Sequence, residues 1–246
     1  MSPAPPVFRS PAPAAAPDGA VFTGRDLVCL RGDRVVFAGL DFTLGAGAAL
    51  LLLGRNGSGK SSLLRLMAGL LRPAAGALDW HGAPVLHDRE AHGARVRYIG
   101  HHDAIKPVLT VAENIAFWVR AWAPQVADVE AAVRGALVRL DMERLAEVPG
   151  KMLSAGQKRR TNLARLLAAP ADLWLLDEPT TALDKASIAV LEDAIADHRA
   201  TGGMVALSTH AEVALPAART LRMEDFAAAA DALDTEWAVA EGGEED

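Results

Sequence analysis

The octapeptide Gly54-Arg55-Asn56-Gly57-Ser58-Gly59-Lys60-Ser61 restricts this chain more than any other stretch of it. It reads G-x-x-x-x-G-K-S, follows the apolar run Ala48 to Leu53, and precedes the apolar-periodic run Leu63 to Leu71. Strand, glycine-rich loop and helix in that order make a phosphate-binding loop. Glycines let the backbone curl until successive N–H groups converge on phosphate oxygens. A helix opening at Lys60 adds the positive end of its dipole. Lys60 then reaches the β- and γ-phosphates, and the Ser61 hydroxyl is placed to ligate Mg2+. Gly54 through Ser62 are the candidate nucleotide-binding residues. The competing reading, a glycine-rich turn without a ligand, does not account for the flanking strand and helix.

Further along, Leu173-Trp174-Leu175-Leu176 reads as a strand buried on both faces of a parallel sheet, and it ends in Asp177 and Glu178. Open α/β sheets bind ligands at the C-terminal ends of their strands. Asp177 is therefore placed to hold Mg2+, directly or through water. Glu178 stands one residue later and, on a continuing strand, points the other way. It is the candidate acceptor of a proton from attacking water. Ser154 begins a helical pattern, which makes it an N-cap. Asp184 has the same relation to the helix expected over 185–199, and His210 closes the apolar strand Val205 to Ser208.

Taken with the P-loop, the order Leu153-Ser154-Ala155-Gly156-Gln157, then Leu175-Leu176-Asp177-Glu178, then Ala182-Leu183-Asp184, then Ser208-Thr209-His210 resembles the ATP-binding subunit of ABC transporters. The resemblance covers roughly residues 21–223. It implies that Ser154, Gly156 and Gln157 contact the γ-phosphate held by a second subunit. It also implies that Asp184 acts across that dimer, that Glu178 is the catalytic base, and that His210 contacts the γ-phosphate and orients water. Ala155 stands where the family usually has a glycine; its methyl group could crowd the phosphate or restrict the backbone, but Gly156 is kept, so tolerance rather than inactivation is expected.

Two departures narrow the resemblance. In Tyr98-Ile99-Gly100-His101-His102, counting back from Thr110-Val111-Ala112-Glu113-Asn114 puts His101 where the family has a Mg2+-ligating glutamine, with His102 the alternative. Imidazole ligates metals, but Mg2+ prefers oxygen, so contact here would run through water or the role is altered. At the position where the family carries an adenine-stacking aromatic stands Arg31, which either stacks on the base or is a solvated hairpin residue. With L-V-C-L-R-G-D-R, Y-I-G-H-H-D-A-I-K and L-S-A-G-Q-K-R-R, the chain is most similar to the haem-exporter ATPases of bacterial cytochrome c maturation. That resemblance implies an ATP- and Mg2+-dependent ATPase on the cytoplasmic face of the inner membrane, bound peripherally. Its partners would be the membrane subunits of the maturation complex and an ATP-dependent dimer of ATPase subunits. The work would be haem export or release of a haem-loaded chaperone. An ABC ATPase for another substrate is the alternative. A soluble ABC regulator is a further one, disfavoured by the single set of motifs and the absence of heptads.

The remaining sequence bounds this picture. The 246 residues fit one domain with a subdomain. Alternating strands and helices predict an α/β fold of P-loop type: a mostly parallel sheet, an antiparallel β subdomain and a helical signature subdomain over about 105–165. The ATPase domain is expected over 21–225. A net charge of −6 argues against general nucleic-acid binding. The short basic run Lys158-Arg159-Arg160 belongs to the signature helix on this reading. One cysteine, Cys29, rules out an internal disulfide and reads as a buried strand residue in a reducing compartment. No apolar run of spanning length is present. Residues 1–20 are rich in proline and alanine and read as a disordered tail without a signal peptide's apolar segment, and 226–246 as an acidic tail.

Overall fold

A computed structural model describes residues 20–32, 34–227 and 230. Most of both predicted tails, and Asp33, lie outside these. Five parallel strands form the central sheet, in the order β6 (Val96–Ile99), β7 (Leu173–Asp177), β8 (Met204–Ser208), β3 (Ala49–Leu53), β9 (Arg219–Arg222). A second, antiparallel sheet has the order β2 (Arg34–Gly45), β1 (Ala20–Arg31), β4 (Ala75–Trp80), β5 (Ala83–Pro84).

The strand period of two explains how one sheet serves two cores. Leu173 and Leu175 of β7, Met204 and Ala206 of β8, and Leu50 and Leu52 of β3 face the core shared with the antiparallel sheet. Trp174 and Leu176, with Val205 and Leu207, face the opposite core. Every residue of β7 and β8 is buried, as the uninterrupted apolar runs require of a parallel sheet covered on both sides. In the first core Phe22 of β1 packs edge-on against Phe42 of β2, with ring centroids 5.3 Å apart. Cys29 is buried in the same core, as expected.

Helix α1 (Lys60–Met67) follows β3, and Gly69 at φ +70° stands just past its end, inside the apolar-periodic run. Helix α2 (Arg89–Arg95) leads into β6. The predicted helical subdomain holds α3 (Val111–Trp122) and α4 (Val129–Arg139), separated around Pro124. Thr110 and Glu113 close a reciprocal capping box at the start of α3. Helices α3 and α4 pack on α5 (Ala155–Ala168) over the second core. Helix α6 (Lys185–Ala200) lies between β7 and β8 in the chain, and a 3-10 turn at Met223–Phe226 follows β9. Among the described residues no helix is long and apolar enough to cross a membrane.

Candidate active site

The C-terminal ends of β3, β7 and β8 meet at a cleft of about 630 Å³. The loop between β3 and α1 forms its floor. Gly54, Gly57 and Gly59 take φ of +150°, +83° and +98°. The space at Gly59 admits no side chain, because a Cβ there would lie 2.8 Å from Val36. The first helical hydrogen bond of α1 runs from the Leu63 amide to the Gly59 carbonyl, 2.8 Å. The amides at 60–62 therefore have no intrahelical acceptor and sit at the positive end of the helix. Lys60 is buried to 7% exposure, and its ammonium donates to the Gly54 and Arg55 carbonyls at 2.6 and 3.1 Å. That places the charge inside the loop.

Above the loop, Asp177 ends β7 at 2% exposure. Its Oδ1 accepts from the Ser208 hydroxyl at 2.8 Å, while Tyr98 donates to Oδ2 at a long 3.4 Å. No arginine or lysine among the described residues pairs with this carboxylate. The expected alternation of Asp177 and Glu178 is corrected by the structure: both line the same cleft. Glu178 leaves the strand with φ +49°, a left-handed conformation that turns its side chain back. The Ser208 carbonyl accepts from the Glu178 amide at 2.9 Å, and the Ser208 hydroxyl lies 3.2 Å from it. The Glu178 carboxylate meets His210: the backbone amide of His210 donates to Oε2 at 3.2 Å, and Nε2 lies 3.4 Å from Oε1. The same Nε2 is 2.8 Å from Asn56 Oδ1, so His210 links the carboxylate to the P-loop. The Ser58 hydroxyl and Glu178 Oε1 are buried without a hydrogen-bond partner among the described residues. Buried polar atoms of that kind are costly unless a ligand uses them.

Of the sequence candidates, Arg31, Asn56 through Ser62, His101, Asp177, Glu178 and His210 all border this cleft. His101 does so where His102 does not; their rings are 5.6 Å apart. Gly54 and Arg55 contribute the carbonyls that hold Lys60. Ser154, Gly156, Gln157 and Asp184 do not border it. They form a separate surface. Ser154 caps α5, its hydroxyl accepting from the Gln157 amide at 3.3 Å while Gln157 Oε1 accepts from the Ser154 amide at 2.9 Å. Asp184 caps α6 through the Ser187 amide, 2.8 Å, and this bonding with Ser187 holds its carboxyl below the usual range. Gly156 lies against the Ala182 carbonyl, 2.9 Å from where a Cβ would stand, so the two motifs adjoin. Ala155 is the first residue of α5 and its φ is not positive, so the methyl group brings no backbone strain.

Sequence reasoning missed four contributors to the cleft or its walls: Arg34, Thr181, Ser208 and Glu224. Arg34 and Thr181 line it. Ser208 lay inside a motif singled out for its histidine alone. Glu224, 169 positions from its partner, accepts from the Arg55 amide at 2.9 Å. Hydrogen bonds from its own backbone amide and that of Arg55 hold its carboxyl below the usual range.

The family model described as ABC transporter matches residues 37–181, which contain the P-loop, the Ser154 helix start and the β7 carboxylates. The chain belongs to the ABC transporter family. It therefore binds and hydrolyses ATP. Its relatives include the cytochrome c biogenesis ATP-binding export protein CcmA of Paramagnetospirillum magneticum, 64% identical over 85% of this chain and 96% of that protein. The protein of the same description from Rhodospirillum rubrum is 61% identical over 85% of this chain and 88% of its own length. Among solved structures, an ATP-binding subunit of an ABC transporter superposes with a TM-score of 0.71 at 25% identity, covering 77% of this chain and 79% of that one. An ATP-binding protein assigned to the same transporters in Pyrococcus furiosus superposes at 0.72 with 22% identity, covering 83% and 98%, and confirms the predicted fold.

Proposed function

We propose that this chain is the ATP-hydrolysing subunit of a membrane complex serving cytochrome c biogenesis, where it drives haem export or release of a haem-loaded chaperone. The single observation that carries the reading is one cleft holding the P-loop, both β7 carboxylates and His210, in a chain 64% identical to a cytochrome c biogenesis export protein.

Each step follows from residues already placed. The 54–62 loop and the Lys60 ammonium bind the phosphates through converging N–H groups and charge. Arg31 borders the cleft, where its guanidinium can stack on the base. Ser61 and Asp177 both border the cleft and offer hard oxygen donors, a donor set that fits Mg2+; His101 offers nitrogen and fits it poorly. When bound, Mg2+ neutralises charge on the phosphate oxygens. The Glu178 carboxylate, turned into the cleft, accepts the proton of the attacking water. His210, fixed between Glu178 and Asn56, holds that water against the γ-phosphate. Ser154, Gly156, Gln157 and Asp184 act on nucleotide bound by a second copy, which explains their distance from the cleft of their own chain. Bound ATP then favours the closed dimer, and hydrolysis releases it.

A groove of about 970 Å³ between α3 and α4, bordered by Ala112, Ala116, Phe117 and Leu137, supports docking of a membrane subunit at the inner-membrane surface. The 101–107 loop leads from the cleft to this region.

The experiment is haem staining of c-type cytochromes in a deletion strain complemented with the wild type or with Glu178→Gln. Stain restored by the wild type alone is expected. Normal stain in the deletion strain would leave the ATPase in place and remove the cytochrome c role.

A further inference from the structure

Arg159 lies five positions past Ser154 on α5, in the basic run that the sequence assigns only to a helix. Its side chain is 3% exposed. A guanidinium has five N–H donors, and here each has an acceptor. Nε donates to the Pro179 carbonyl at 3.0 Å. Nη2 donates to the Asp177 and Glu178 carbonyls at 3.0 and 2.5 Å. Nη1 donates to the Gly100 carbonyl at 3.0 Å and to Asp103 Oδ1 at 3.1 Å.

Three facts make this more than a satisfied buried charge. Glu178 is held at φ +49°, which a glutamate does not adopt without local cost. Such a conformation persists only where its surroundings over-determine it. Ser208 holds its amide, and Arg159 holds its carbonyl and those on either side. The one ion-pair partner of Arg159 among the described residues, Asp103, belongs to the loop that places His101 in the nucleotide cleft. The far end of that loop is pinned to α3, where the Asn114 amide group donates to the Lys106 carbonyl and Asn114 Oδ1 accepts from the Lys106 amide.

We propose that Arg159 is a positioning residue for Glu178, and that the Asp103–Arg159 pair ties the geometry of Glu178 to the 100–106 loop. Movement of the loop withdraws the Asp103 counter-charge from a buried guanidinium, and the backbone it grips after β7 shifts with it. The turnover number then depends on the loop although no loop residue need touch the reacting atoms. The inference rests on Glu178 being the general base.

The test is steady-state ATP hydrolysis by the full-length chain, with kcat and KM resolved and thermal melting recorded, for Arg159→Lys, Asp103→Ala, the double variant and Glu178→Gln. Arg159→Lys keeps the charge and loses the planar fork. A displacement of about 1 Å at a catalytic group costs up to about 100-fold in rate. A kcat loss of about 10- to 100-fold is expected, with KM for ATP within about twofold, because the P-loop contacts are untouched. Asp103→Ala lowers kcat less, because the carbonyl contacts of Arg159 loosen without being removed, and it reports even where Arg159→Lys melts early. The double variant matches Arg159→Lys alone, since the two groups act through one contact. Unchanged kcat in both single variants, losses that multiply in the double, or a loss confined to KM would overturn the proposal. Undiminished turnover in Glu178→Gln would instead overturn the assignment of the base.

Discussion

Around the P-loop, five separate stretches of chain converge on one cleft; around Ser154, a helix end meets the loop bearing Asp184. In the first region Lys60 and Asp177 are buried, and the Ser58 hydroxyl has no partner among the described residues. In the second Ser154 and Asp184 are exposed and satisfied by local caps. The difference is one of assembly. The residues of the P-loop cleft come together within a single chain, and those of the signature half stand apart from it. On the function proposed above, a chain built this way completes its ATP site by pairing.

Substitutions on the two surfaces should therefore fail differently. The largest effect belongs to the cleft. Glu178→Gln should retain ATP binding and lose hydrolysis by roughly 100-fold or more, the range for removing a general base, measured by phosphate release beside nucleotide binding. Hydrolysis within a few-fold of wild type would remove Glu178 from the mechanism. On the signature surface, Ser154→Asp sharpens the contrast, because aspartate caps a helix as well as serine does and yet brings a negative charge. Melting temperature and single-chain ATP affinity should stay near wild type while turnover falls about tenfold or more, the charge facing the partner's phosphate. Weakened ATP affinity in the dilute chain would place Ser154 in its own cleft. Ser154→Ala, by comparison, should cost about 1 kcal/mol of stability through the lost cap, read in denaturant melts.

How far each region was legible follows the same division. The P-loop and the acidic end of β7 are contiguous in sequence, and their chemistry needs particular residue types, so they could be read directly. Glu178 was found, but its direction was not, because a left-handed turn after Asp177 breaks the strand alternation. Glu224 could not be found, since nothing in a 3-10 turn beyond the last strand signals a partner at Arg55. Strand β4, helix α2 and edge strand β9 were likewise missed: each is short, and β9 and the α2 segment carry too few apolar residues to show a period. The basic run at 158–160 was placed on the right helix, yet periodicity could not reveal that Arg159 turns inward.

The smallest expected effect lies far from both surfaces. His92, whose Nε2 lies 2.8 Å from the Met67 carbonyl, and His198, stacked on Trp174, are both pushed down from 6.5 chiefly by burial. Nearby Arg95 lowers His92 further. For such a group the unfolded chain takes up a proton before the folded one does, so stability is full above 6.5 and falls as pH drops below it. Melting temperature should be lower at about pH 5.5 than at about pH 7.5, and a His198→Phe variant should show a smaller drop. An equal drop would clear His198 of responsibility.

The central claim, that one chain holds half of a working site, is tested most directly by specific ATPase activity across a dilution series, with the oligomeric state followed by sedimentation. Activity per chain should rise with concentration and level off as dimers fill. A flat specific activity in a chain that remains monomeric would contradict it.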